Sequence, residues 1–328
     1  MCIRDRLNLW GRGSRGSYDV IPPEQEEAVR EGQVGALINV MDVNEVDRIQ
    51  RIAVQESPHG IPLLFGRDVI HGLHALAPIP LAQAATWDLD LVEAGSRTAA
   101  ADASAYGIRW TFAPMLDIAR DPRWGRIAES PGEDPFLASR LAEAMVRGFQ
   151  GDSLTDPTAV AACAKHFAAY GAAEGGRDYN TVSIPETELR NIYLPPFEAA
   201  VDAGAASLMS SFNEINGIPA SAHPVLLTAI LRNEWDFDGF VVSDWESVTE
   251  MIAHGFSEDD RAAARQAVAA GLDMDMMSRA YAGNLADLVS AGEVAEQVID
   301  AAVTRILRIK YRLGLFDQPY RDPNATPG

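Results

Sequence analysis

The clearest candidates for chemistry in this sequence are Asp244 and Trp245, which directly follow the apolar, β-branched run 239–243. A carboxylate at the end of a strand can act as a nucleophile. The indole face beside it can stack on the C–H surface of a sugar ring. Aspartate is also a good residue to cap the next helix, so a purely structural role for Asp244 stays open at this point.

Lys165 and His166 form a second pair, at the end of the apolar run 160–167. Of the 27 basic residues only Lys165 and Lys310 are lysine. Lysine at position 165 therefore indicates a site that needs a compact ammonium with three donors and not a planar guanidinium. Neighbouring strand residues point to opposite faces, so both reach one ligand only if the strand ends or twists here. A Schiff base on Lys165 and a histidine simply buried in the core remain alternatives.

Four more residues are candidates for binding. Asp68 ends the run 62–68 and offers acceptors suited to vicinal hydroxyls. Arg126 lies in an acidic loop, where it forms a salt bridge, faces a pocket, or does both. Met209 and Phe212 either line that pocket or belong to the core. The scattered histidines and the two cysteines lack the spacing of a metal site, and no glycine motif for a nucleotide is present, so we expect neither metal nor cofactor.

The elements that position these residues follow a βαβα rhythm, which predicts a parallel sheet covered by helices. Polar residues end most of the apolar runs, as the active face of a barrel requires: Asp68, Asp117, Lys165, His166, Asn213, Glu214, Asp244 and Asp273. The fold class is therefore α/β, a (β/α)8 TIM-type barrel with one strand or helix irregular or missing. Seven strands are predicted at 35–40, 62–68, 111–119, 160–167, 207–212, 239–244 and 272–277. Helices are predicted at 89–106, 135–149, 185–203, 224–233, 259–270 and 294–313.

Length and charge set further limits on the 328-residue chain. Its formal net charge of -20 repels phosphate backbones and anionic lipid, so nucleic acid and membrane partners are not expected. No apolar run approaches the roughly 20 residues of a membrane helix, and no signal peptide is recognisable. Residues 1–23 are Arg- and Gly-rich without periodicity, and we expect a disordered or non-native tail there. The barrel is expected at 24–316, and the Pro-rich stretch 317–328 reads as the start of a linker.

Taken together, the motifs resemble glycoside hydrolase family 3, in particular two-domain bacterial periplasmic β-glucosidases. The resemblance covers about residues 32–322 and rests on five blocks in the family's order and spacing. These blocks are Asp68-Val69-Ile70-His71-Gly72, residues 121–126, Lys165-His166-Phe167, residues 213–217 and residues 241–245.

The resemblance implies that Asp244 is the nucleophile of a retaining β-glycosidase (EC 3.2.1.-), with β-glucosidase first and β-xylosidase second. Asp68, Arg126, Lys165 and His166 would hold the sugar hydroxyls, and Lys165 and Arg126 would keep Asp244 ionised. Trp245 and Met209 would form an apolar wall. Many relatives have tyrosine where this chain has Phe212, so a hydroxyl that could bond Asp244 is absent.

The resemblance also implies a second domain, an α/β sandwich that carries the acid/base glutamate in two-domain relatives and follows the barrel. Single-domain relatives use a His-Asp pair in the loop after Lys-His-Phe, but that loop has no histidine here, and Glu174 is the one substitute it offers. The substrate would be an oligosaccharide or aryl β-glycoside, and the location periplasmic or secreted. A sugar-binding pseudoenzyme and a Schiff-base lyase or aldolase using Lys165 remain alternatives.

Overall fold

The computed structural model describes residues 8–10, 20–322 and 325. In this part of the chain two short antiparallel strands form a hairpin, and all other paired strands run parallel. The strands are β1 (Asn8–Trp10), β2 (Ala36–Ile38), β3 (Leu64–Arg67), β4 (Trp110–Thr111), β5 (Cys163–Phe167), β6 (Ser207–Ser210), β7 (Glu214–Ile215), β8 (Ile218–Pro219), β9 (Phe240–Val242) and β10 (Asp275–Met276).

The eight parallel strands follow one another in a closed order. One sheet runs β10-β1-β2-β3-β4 and the other β5-β6-β9. Isolated bridges join the sheets on both sides, from Trp110 to Ala161 and from Met115 to Lys165 on one side, and from Val242 to Met274 on the other. The arrangement is that of a (β/α)8 barrel, so the predicted fold class is confirmed, and each of the seven predicted runs contains a strand or its end.

The eighth strand lies where the sequence predicted a tail. Asn8–Trp10 pairs with both β2 and β10, with Leu9 opposite Ala36 and Met276. The expectation that residues 1–23 stand outside the fold is therefore wrong for these three residues, because their backbone completes the ring of strands and Leu9 is fully buried. Residues 1–7 and 11–19 of the predicted tail lie outside the described part of the chain.

Helices cover the outside of the barrel, and four of them begin at an aspartate cap. The side chains of Asp42, Asp88, Asp134 and Asp259 each accept a hydrogen bond from the backbone N–H three residues on. The α-helices are α1 (Pro23–Arg30), α2 (Val43–Arg51), α3 (Pro80–Ala84), α4 (Leu89–Ala105), α5 (Pro135–Gln150), α6 (Glu186–Glu188), α7 (Pro195–Asp202), α8 (Ser247–Ala253), α9 (Asp260–Ala270), α10 (Ala280–Ser290) and α11 (Glu296–Arg312). Wider π-helical turns occur at Ile52–Glu56, Leu189–Tyr193 and Val225–Glu234.

Aromatic side chains fill the inside of the barrel. Trp110 of β4 meets Phe240 of β9 with ring centroids 5.2 Å apart, although β5 and β6 separate the two strands along the wall. Its indole N–H donates to Ser207 Oγ at 2.8 Å. Gly66 of β3 makes room, because a Cβ there would lie 2.9 Å from the ring of Phe112 and 3.0 Å from that of Trp110. The inside of the barrel is thus a packed core of aromatic side chains.

Charged groups also stabilise the opposite end of the barrel. Lys310 of α11 is buried and donates to the carbonyl oxygens of Gly35 and Pro62, just before β2 and β3. Asp273, expected at the active face, instead precedes β10. Its carboxylate binds Arg232 and Arg305, each at 2.7 Å, so it serves packing at the strands' amino ends.

Candidate active site

A cavity of about 250 Å³ opens at the carboxyl ends of the barrel strands. The (β/α)8 fold gathers polar side chains at this end because every parallel strand delivers its last residues there. All eight residues that the sequence singled out line this one cavity: Asp68, Arg126, Lys165, His166, Met209, Phe212, Asp244 and Trp245. Their individual roles stay predictions, but they are assembled from five separate parts of the chain.

Lys165 and His166 both face the cavity although they are neighbours in β5. The pairing of β5 with β6 changes register between Ala164 and Phe167. The sequence predicted that such an irregularity in the strand is required for both side chains to reach one ligand. Lys165 Nζ lies 2.5 Å from Asp68 Oδ1, and its side chain is buried while that of Asp68 is half exposed.

Arg126 has both of the roles left open for it. Its Nε and Nη2 donate to the two carboxylate oxygens of Glu129 at 2.8 and 2.9 Å, which fixes the guanidinium plane. The same guanidinium lies 5.6 Å from the centre of the Tyr170 ring and borders the cavity. A salt bridge within the loop therefore holds a cation at the mouth of the barrel.

Asp117, His166 and Asp244 lie in a row. Asp117 Oδ2 is 2.7 Å from Nδ1 of His166 and also accepts the backbone N–H of His166 at 3.0 Å. On the other side of the imidazole, Nε2 is 3.3 Å from Asp244 Oδ2. The second oxygen of Asp244, Oδ1, accepts the backbone N–H of Trp245 at 2.6 Å. The imidazole thus lies between two carboxyl groups and is hydrogen-bonded to Asp117, while Asp244 Oδ2 has no hydrogen-bond partner among the described residues.

Burial and charge act against each other on Asp244. Burial is the larger influence and raises the pKa of Asp244 to about 6, although Lys165, Arg126 and the Trp245 amide all lower it. Lys165 and Arg126 thus act in the expected direction and favour the ionised carboxyl, while desolvation places the pKa above the ordinary value for aspartate.

Aromatic rings build one side of the cavity. Phe212 contacts Tyr179 edge to face at 4.6 Å between ring centroids, and Tyr170 lies behind both. The sequence noted that Phe212 lacks a hydroxyl. Tyr179 supplies a phenol on the same wall, and the charge of Asp244 contributes to raising the pKa of Tyr179, so the two groups are close enough to interact.

Sequence reasoning missed several lining residues. Asn39 follows β2 and accepts from Arg67 at 3.2 Å, and a polar residue near the end of the predicted run 35–40 was a usable signal. Tyr179 and Glu250 gave no sequence signal, because Tyr179 lies in an irregular loop and Glu250 lies on the short helix α8. Burial and the charge of Asp244 raise the pKa of Glu250 to about 7. Glu174, weighed as a substitute acid, is exposed and not among the residues that line the cavity.

Two further observations concern the described residues as a whole. They contain no group of three or more His, Cys, Asp or Glu side chains arranged to hold a metal ion. None of their helices combines the length and apolar character that crossing a bilayer demands.

Eight parallel strands in closed order, with charged side chains from several strand ends around one cavity, define the class of (β/α)8-barrel enzymes. A family model described as the glycosyl hydrolase family 3 N terminal domain matches residues 18–309. The chain belongs to glycoside hydrolase family 3, and the resemblance drawn from its motifs is confirmed.

Similar proteins include β-glucosidases and a β-xylosidase. A periplasmic β-glucosidase of Salmonella typhimurium is 42% identical over 303 residues, covering 91% of this chain and 40% of that protein. A β-xylosidase of Formosa agariphila is 36% identical over 87% of this chain and 42% of its own length. The crystal structure of a Listeria innocua β-glucosidase in complex with isofagomine superposes with a TM-score of 0.92 at 39% identity, covering 99% of this chain and 46% of that one. The chain spans about two fifths of the length of these curated relatives.

Proposed function

We propose that this chain is the barrel of a retaining β-glycosidase that releases terminal, non-reducing β-linked sugars from oligosaccharides or aryl glycosides. Glucose is the first choice of sugar, because the Salmonella and Listeria relatives are named β-glucosidases, and xylose is the second, after the Formosa relative. The observation that carries the proposal is the position of Asp244. It is a buried carboxylate at a strand end, flanked by His166 and facing a cavity that also contains Lys165 and Arg126.

Each lining group has a proposed task. Asp244 attacks the anomeric carbon as the glycosidic C–O bond breaks and the leaving oxygen takes a proton from the acid/base, which gives a covalent glycosyl-enzyme; water, after losing a proton to the same acid/base, then displaces Asp244 with net retention. Asp68, with Lys165 bound to it, accepts hydrogen bonds from sugar hydroxyls, while Lys165, Arg126 and His166 supply further polar contacts. Trp245 and Met209 pack against the C–H face of the ring, as apolar walls of sugar sites do.

We infer that the acid/base comes from outside this chain. Retaining hydrolysis needs a second carboxyl group about 5 to 5.5 Å from the nucleophile. Relatives are more than twice as long as the part matched here, which supports an α/β sandwich domain reached through a linker that begins near residues 317–328. A periplasmic or secreted location is proposed on the name of the Salmonella relative.

The alternative is a sugar-binding pseudoenzyme, which would bind glucose in the same cavity without forming a covalent bond. A Schiff-base lyase is not favoured, because the matched relatives are glycosidases and Lys165 is paired with the carboxylate of Asp68. The two remaining functions differ in one measurable property, the reaction of Asp244 with an activated sugar.

The test is intact-protein mass spectrometry after incubation with 2-deoxy-2-fluoro-β-glucosyl fluoride. Fluoride is a good leaving group that needs no acid, so a barrel with a competent nucleophile accumulates the glycosyl-enzyme even without its partner domain. We expect one added fluoroglucosyl group, mapped to Asp244 by peptide sequencing. The same reagent built on xylose compares the two proposed sugars directly.

Two variants serve as controls. Asp244→Ala should form no adduct while keeping its circular dichroism spectrum and its affinity for glucose within a few fold. Asp68→Ala should still form the adduct at saturating reagent but require a higher concentration, because it loses hydroxyl contacts and not the nucleophile. An unmodified wild-type chain that binds glucose would favour the pseudoenzyme, and an adduct on another residue would refute the assignment of Asp244.

A further inference from the structure

The cavity at the barrel mouth is bordered by an exposed aromatic ring to which the proposed function gives no task. Of the described residues that line the cavity, only Asp68 and Tyr179 are exposed, and Tyr179 is 49% exposed. The proposed nucleophile Asp244 is 8% exposed and lies deeper. The ring of Tyr179 therefore belongs to the opening of the cavity and not to its floor.

Asp68 and Tyr179 lie on different sides of this opening. Asp68 follows β3, which is four strands away from β9 in the ring of eight. Tyr179 packs edge to face against Phe212, which lies just after β6, the direct neighbour of β9, with ring centroids 4.6 Å apart. The charge of Asp244, which follows β9, contributes to the raised pKa of Tyr179. Tyr179 is thus on the nucleophile's side of the opening.

The loop that carries Tyr179 is fixed on both sides of this residue. Asp178 accepts the indole N–H of Trp124 at 3.1 Å, and Thr181 Oγ1 donates to Glu214 at 2.9 Å. Tyr179 itself has a left-handed backbone, φ 59°, which bulky residues rarely adopt. Such a conformation persists only where the surrounding contacts enforce it, and it is commonest at functional sites. The ring is therefore in position before a ligand arrives, which lowers the entropic cost of binding to it.

The reaction proposed for Asp244 determines which part of a substrate reaches this ring. In-line attack places the leaving group on the side of the anomeric carbon away from the nucleophile. Because Asp244 lies deep in the cavity, that side faces the opening. Of the two exposed residues there, Asp68 is bound to Lys165 and is proposed to hold hydroxyls of the terminal sugar. Tyr179 is then the exposed side chain available to the leaving group.

We propose that Tyr179 is a specificity residue whose ring packs against the leaving group of the β-glycoside. The leaving group that fits has an apolar face of its own, which means an aryl ring or the C–H face of a second sugar. The inference rests on the proposed function for the orientation of the substrate, but the contact itself is measurable by binding alone.

The first test compares two ligands that share glucose and differ in the group at the anomeric position, methyl β-thioglucoside and phenyl β-thioglucoside. Their sulfur linkage resists hydrolysis, so isothermal titration calorimetry measures affinity without reaction. We expect the wild-type chain to bind the phenyl ligand more tightly. Tyr179→Asn should weaken the phenyl ligand by about 3- to 10-fold and the methyl ligand by no more than about twofold. Asparagine is the replacement because it tolerates positive φ, so the loop keeps its shape.

Two further variants separate packing from other causes. Tyr179→Phe retains the ring and should retain the preference for the phenyl ligand. Tyr311→Asn is the matched control, because Tyr311 is 70% exposed on α11 and does not line the cavity. It should bind both ligands as the wild-type chain does. A wild-type chain without preference for the phenyl ligand, or a Tyr179→Asn variant that weakens both ligands equally, would overturn the role of Tyr179.

The second test compares two trapping reagents that deliver the same fluoroglucosyl group to Asp244. One releases fluoride and the other, dinitrophenyl 2-deoxy-2-fluoro-β-glucoside, releases dinitrophenolate, and neither leaving group needs a proton. At low reagent concentration, Tyr179→Asn should slow trapping by the dinitrophenyl reagent by about 3- to 10-fold and leave trapping by the fluoride nearly unchanged.

The two tests also separate this inference from the proposed function. Adducts that form at the same ratio of rates in Tyr179→Asn and in the wild-type chain would overturn the role of Tyr179 and leave Asp244 as the nucleophile. Absence of an adduct from either reagent, with the preference for the phenyl ligand present and lost in Tyr179→Asn, would refute the proposed function and support the contact made by Tyr179.

Discussion

Asp244, the proposed nucleophile, has contacts that act on its charge in opposite directions. The Trp245 amide and nearby cations stabilise the charge, while burial destabilises it. A carboxylate that is only partly stabilised in the resting site is a better nucleophile than a fully solvated one, and shifted pKa values of this kind cluster at functional sites. The contacts of this residue therefore agree with the attack proposed for it.

The raised pKa of Asp244 gives a direct prediction. Trapping by the fluoroglucosyl reagent requires the ionised form, so its rate should be near its maximum above pH 7 and fall as pH decreases through about 6. An ordinary aspartate would keep its rate until about pH 4. The measurement is the rate of adduct formation from pH 4.5 to 8 by mass spectrometry, and a flat profile down to pH 4.5 would contradict the raised pKa.

Strand-end residues of the site were predictable from sequence, and loop residues were not. Asp68, Lys165 and Asp244 stand out because burying a charge in an apolar core is unfavourable. A charged residue at the end of an apolar run therefore indicates a function. Tyr179 reaches the cavity from an irregular loop with a left-handed backbone, φ 59°, which no periodicity signals. The pairing of Asp117 with His166 joins positions 49 residues apart, so only the folded chain brings it to light.

At the scale of elements, runs with strong periodicity were placed correctly and short ones were missed. Helices α4, α5, α9 and α11 each fall within a residue or two of the predicted limits, because an apolar stripe extends over three or more turns. Strand β1 has three residues in an Arg- and Gly-rich stretch, too few to show alternation. Helix α8 has only seven, and Asp244, read as its possible cap, instead faces the cavity.

Two glycines inside neighbouring helices should respond oppositely to alanine. A Cβ at Gly148 of α5 would lie 2.4 Å from the Glu93 carbonyl oxygen of α4, so Gly148→Ala must push the helices apart and should destabilise the chain by about 1 to 3 kcal/mol. A Cβ at Gly95 of α4 meets nothing within 4 Å, and Gly95→Ala should stabilise by about 0.5 to 1 kcal/mol. Urea unfolding at one pH measures both. Equal effects would mean that α4 and α5 do not pack this closely.

At the scale of the whole molecule, the barrel is closed by strands that lie far apart in the sequence. β1 joins β2 on one side and β10 on the other, so it connects the two ends of the fold. A closed ring leaves no sheet edge open to other chains. Three residues near the start of the chain therefore complete the ring of strands.

Leu9 tests this closure. It is fully buried in β1, so Leu9→Ala should lower the free energy of unfolding by about 2 to 5 kcal/mol. Leu91→Ala is the matched control on α4, where the side chain is 59% exposed, and should change it by no more than about 0.5 kcal/mol. Denaturant unfolding of both variants gives the comparison. A Leu9→Ala variant as stable as the control would show that β1 is not part of the cooperative fold.

The chain's two lysines lead to one last consequence, for its chemical labelling. Lys165 and Lys310 are both buried, one paired with Asp68 and the other bound to backbone carbonyls. Reagents that acylate amines should therefore leave both ε-amino groups unmodified while the protein is folded. Acylation of Lys310 would then report opening of the barrel's far end, and acylation of Lys165 opening of the cavity at its mouth, so one reagent could follow two regions of the molecule in a single experiment.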